Sequence, residues 1–105
     1  MDWYHVTWDA HGFTRAVQPP GRPAWQDQAA WTDIVRVCLE MEGWLGSDSL
    51  HVFTRQRPEA YTLPLAAPDV TALLAELIHR GLFDAELAIQ AASAEGLFCW
   101  ETPTG

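Results

Sequence analysis

Over residues 3–8, Trp3, His5 and Thr7 fall on one side of the chain and Tyr4, Val6 and Trp8 on the other. β-Branched and aromatic residues at a period of two predict a strand. Asp9-Ala10-His11-Gly12 supplies turn chemistry, and residues 13–17 read as the return strand of a hairpin. Gln18-Pro19-Pro20-Gly21-Arg22-Pro23 breaks the pattern, because proline cannot extend a hydrogen-bonded ladder.

The period then changes. Trp31, Ile34, Val35, Cys38 and Met41 recur at three- and four-residue intervals and predict a helix over residues 24–42, stopped at Gly43. Residues 50–54 read as a strand, Gln56-Arg57-Pro58-Glu59 as a turn, and residues 60–65 as the return. Pro64 ends that strand or places it at a sheet edge. A second helix starts at Pro68 and Asp69, carries Val70, Leu73, Leu74, Leu77 and Ile78 on one stripe, and ends at Gly81.

Residues 84–95 carry two signals. Their alanine content and Asp84 suit a capped helix, while Leu87, Ile89 and Ala91 alternate as in a strand. A weak likeness within the chain arbitrates for strand over 86–92. Gly43-Trp44-Leu45 before Leu50-His51-Val52 resembles Gly81-Leu82-Phe83 before Leu87-Ala88-Ile89. A last hairpin would turn at Ser93-Ala94-Glu95-Gly96 and return through Leu97-Phe98-Cys99-Trp100.

The expected architecture is a single α+β domain over residues 1–105, ordered β-β-α-β-β-α-β-β. A mostly antiparallel sheet of three hairpins would carry two helices on one face. Such a sheet leaves its other side to water or a partner. Six tryptophans are then more than its interior needs, since each ring can bury roughly 150–250 Å². Trp3, Tyr4, Trp8, Phe98 and Trp100 are the candidate partner-binding residues, as indole and phenol rings are favoured interface anchors.

Charge narrows the partner. Fourteen acids face six basic residues, all of them arginine, for a net charge of −8. That field disfavours nucleic-acid backbones and anionic lipid and suits a basic protein. No run approaches the roughly 18 apolar residues of a membrane-spanning helix. The first residues lack a signal-peptide pattern, so a cytoplasmic location is expected. There Cys38 and Cys99 are expected to be unbonded, buried thiols.

Chemical motifs are sparse. His5, His11, His51 and His79 lack zinc-ligand spacing, and His5 with His51 is the only histidine pair that strand pairing would bring together. Gly46-Ser47-Asp48-Ser49 is not a nucleophile elbow. The acids read as a solvated surface, and Gly43-Trp44-Leu45-Gly46 is no phosphate loop. No metal, cofactor or catalytic residue is expected. The leading expectation is a non-catalytic acidic interaction module of inhibitor, immunity or adaptor type. It would bind a basic protein or form a homodimer through its rings. The alternative is a small-ligand binder or enzyme using a sheet–helix cleft at His5, His51 and Tyr61.

Overall fold

The computed structural model describes residues 2–43 and 46–102. Trp44 and Leu45, part of the internal likeness noted above, lie outside the described residues. The order is β1 (Tyr4–Trp8), β2 (Gly12–Val17), β3 (Trp25–Ala30), a 3-10 turn (Trp31–Asp33), β4 (Ile34–Met41), β5 (Ser49–Thr54), β6 (Arg57–Pro64), α1 (Pro68–His79), α2 (Ala85–Ala91) and β7 (Gly96–Glu101). The fold is α+β, with two helices and antiparallel strands among the described residues.

The arrangement of elements corrects the sequence reading. Among the described residues there are two sheets rather than one, ordered β1-β2-β3 and β6-β5-β4-β7. The helix expected over residues 24–42 is absent, and β3, the 3-10 turn and β4 occupy that stretch. Ile34, Val37, Cys38 and Leu39 are all buried in β4. A central strand covered on both faces reads as a continuous apolar run, and such a run also satisfies a three/four spacing. The β-branched Ile34, Val35 and Val37 were the local sign of strand.

Residues 86–92 are mostly helix, not strand. The Asp84 carboxylate accepts the Leu87 backbone N–H at 3.0 Å and caps α2. With a strand in place of the first helix and a helix in place of the later strand, the proposed internal repeat dissolves. The turn between β5 and β6 is also tighter than expected, since Arg57 already belongs to β6.

Both sheets and both helices contribute to one core. Cross-strand rows Val37–Val52–Tyr61 and Leu39–Leu50–Leu63 form the inner face of the four-stranded sheet. Phe13 of β2 meets the Tyr61 ring edge-on at 5.7 Å, and the Tyr61 hydroxyl donates to the Gln28 carbonyl at 2.9 Å. Of the stripe expected of α1, Val70, Leu73 and Leu77 are fully buried in the same core, and Leu74 and Ile78 are partly buried against it. Asp69, in the first turn of α1, accepts the Val6 backbone N–H at 3.1 Å and so ties α1 to the edge strand β1. Gly81, with φ of 75°, ends α1 in the left-handed region that favours glycine.

A further correction concerns the cysteines. Cys38 and Cys99 are bonded to each other. They are direct partners in the β4–β7 ladder, with Cα atoms 4.0 Å apart. Their separation of 61 positions hid this, because only the return of β7 beside β4 makes them neighbours.

Candidate functional site

Above the shared core, the connector between β2 and β3 folds over one end of the three-stranded sheet. The Arg22 N–H donates to the Pro19 carbonyl at 3.2 Å, and Gly21 between them has φ of 72°. Proline at the second position and a positive φ at the third are what a type II turn requires. With Pro23 following, this connector has little freedom left to lose.

The connector and the strand ends enclose an open groove of about 830 Å³. Trp3, Trp25, Pro19, Pro20 and Pro23 supply its large apolar surfaces, and Asp2, His5 and Arg22 its charged or titratable ones. Trp3 is 37% exposed and Trp25 44%.

The Trp25 ring is supported from within. The Arg15 guanidinium lies 4.9 Å from it and 5.3 Å from the Tyr61 ring. Arg15 is buried and bidentate to Asp27, at 2.7 and 2.9 Å, and donates to the Thr62 carbonyl at 2.8 Å. Arg57 adds a second cation over Tyr61 at 3.6 Å. Burial works against the Arg15 charge, but Asp27 and Tyr4 together outweigh it and hold the guanidinium more firmly protonated than usual. Tyr4 lies against the same network. Burial raises its phenol above the ordinary value of 10.0, against a smaller opposing pull from the neighbouring Arg15 guanidinium.

The five expected anchors divide. Trp3 is exposed at the groove, and Trp100 is 38% exposed on β7. Trp8 and Phe98 are only partly buried but pack against the core. Tyr4 is a core residue at 7% exposure and offers little surface to a partner. Trp25 was missed because it was placed at the start of a helix; its position next to a proline-rich connector was the available signal.

The alternative trio is not assembled. His5 sits on β1, its Nδ1 3.8 Å from an Asp69 carboxylate oxygen. His51 and Tyr61 belong to the four-stranded sheet but face opposite ways, because His51 is paired with Thr62 and Tyr61 with Val52. Nor do His5 and His51 meet, as their strands belong to different sheets. No family model, curated protein or solved structure matches the chain.

Proposed function

We infer that this protein is a non-catalytic interaction module that docks a basic segment of a partner protein in the Trp3–Trp25 groove. The observation that carries the reading is the pair of exposed indoles flanking a preformed groove, one of them stacked on a buried guanidinium. Aromatic anchors already held in place lose little entropy on binding. The net charge of −8 supports a basic partner by speeding encounter. An inhibitor, immunity or adaptor role is the form of module that such a surface suits.

A second reading is a homodimer through β7. Among the described residues β7 is an outer strand of its sheet, and it carries Leu97, 63% exposed, and Trp100. An outer strand with apolar side chains can pair with a second copy.

Capture experiments at low and high salt test the first reading, with the wild-type chain and a Trp3→Ala/Trp25→Ala variant compared side by side. A basic protein retained by the wild type, released by salt and lost with the double variant supports it. Equal retention by both chains sinks it. Sedimentation of Leu97→Lys beside wild type tests the homodimer, which predicts a dimer that the substitution dissociates.

A further inference from the structure

On the four-stranded sheet, away from the groove, four side chains form one row across all four strands. Cys99 of β7 is opposite Cys38 of β4, Cys38 is opposite His51 of β5, and His51 is opposite Thr62 of β6. Directly opposed residues share a face and are side-chain neighbours. From this row we propose that the Cys38–Cys99 disulfide is a thiol–disulfide exchange site. Cys99 is the sulfur attacked by an incoming thiol, and Cys38 is the leaving sulfur beside His51.

Exposure distinguishes the two cysteines. Cys38 is 2% exposed, whereas Cys99 is only partly buried and lies on the outer strand β7. Exchange goes through the sulfur that a thiolate can reach.

The surroundings of the other sulfur favour its departure. The His51 Nε2 is 2.8 Å from a Glu40 carboxylate oxygen and its Nδ1 is 2.9 Å from the Thr62 hydroxyl. A protonated ring donates through both nitrogens, and both neighbours can accept. The row therefore sets a ring that can carry a positive charge opposite Cys38, and a histidine cation beside a cysteine favours its thiolate. A sulfur that is stable as thiolate is the better leaving group.

The reaction is balanced with a dithiol as reductant. One thiolate of the dithiol attacks the Cys99 Sγ, and the Cys38–Cys99 bond breaks. Its electron pair leaves on the Cys38 Sγ, giving a mixed disulfide at Cys99. The second thiolate of the dithiol then attacks its own sulfur in that mixed disulfide and releases Cys99. The chain gains two thiols, the dithiol becomes a disulfide, and the dithiol's two protons end on Cys38 and Cys99.

The test uses the folded chain without denaturant. Samples treated with dithiothreitol are alkylated at intervals and weighed by mass spectrometry, while circular dichroism follows the fold. Reduction should outpace global unfolding, and His51→Gln should slow it by about 10-fold. Independently, glutathione trapped on the wild-type chain and located by peptide mass should sit on Cys99. Reduction only at the rate of unfolding, glutathione on Cys38 or equally on both, or a folded His51→Gln chain reduced at the wild-type rate would each overturn the proposal. So would free thiols in the purified chain that oxidised dithiothreitol fails to close into an intrachain bond. None of these outcomes bears on the groove.

Discussion

At the groove end of the three-stranded sheet, Trp3 and Trp25 are exposed, and the Trp25 ring lies over the buried Arg15 guanidinium. On the outer face of the four-stranded sheet, by contrast, the polar groups are largely satisfied by one another. His51 is held by Glu40 and Thr62, Arg36 by Glu101, and Cys38 by Cys99. The first surface keeps apolar area in water and fixes the Trp25 ring from beneath, which suits docking. The second keeps little unpaired polarity, and what distinguishes it is a disulfide beside a titratable ring. Exposed rings point to a binding surface when the structure holds them rigid, and mutually bonded polar groups point to stability or chemistry instead.

The contrast can be broken in several places. The largest effect should come from Cys38→Ser/Cys99→Ser. Opening a loop of this length costs about 4 kcal/mol in the chain-entropy account, readable as a lower urea midpoint. Arg15→Met comes next. It takes the bidentate partner from Asp27, which keeps Arg57 at 3.7 Å, and unties β2 from the Thr62 carbonyl, at about 3 kcal/mol. Calorimetry that shows no loss of stability would mean the Trp25 ring is not held as described.

Trp3→Ala/Trp25→Ala sharpens the comparison from the other side. Stability should fall by about 2 kcal/mol, because each ring still buries more than half of its surface. Partner affinity should fall by at least about 10-fold. A large loss of stability with affinity intact would make the rings structural.

The smallest effect concerns Tyr4. Burial raises its folded pKa above 10.0, so its contribution to stability is present below pH 10 and is lost as pH rises through the raised value. Tyr4→Phe should leave neutral-pH stability within about 1 kcal/mol. It should also flatten the alkaline limb of a stability-versus-pH curve measured in urea.

Where a segment's own chemistry decided its conformation, the sequence was a sufficient guide. The first hairpin follows from its alternation and its Asp9–Gly12 turn, in which Asp9 accepts the His11 and Gly12 N–H groups at 2.8 and 3.2 Å. The α1 helix follows from Pro68, its apolar stripe and Gly81. Those signals are local, and nothing distant competes with them. The class of fold and the surplus of indole surface were legible for the same reason.

Tertiary contacts decided the rest. Residues 34–41 fit either period, and only burial on both faces made them a central strand. The choice of which rings stay exposed depended on that strand: Trp25 became the start of β3, and Tyr4 went into the core. The row from Cys99 to Thr62 joins residues from four strands, and only the order β6-β5-β4-β7 brings them into line. Sequence spacing carries no record of which strands will be neighbours, so both candidate sites exist only once the sheets have formed.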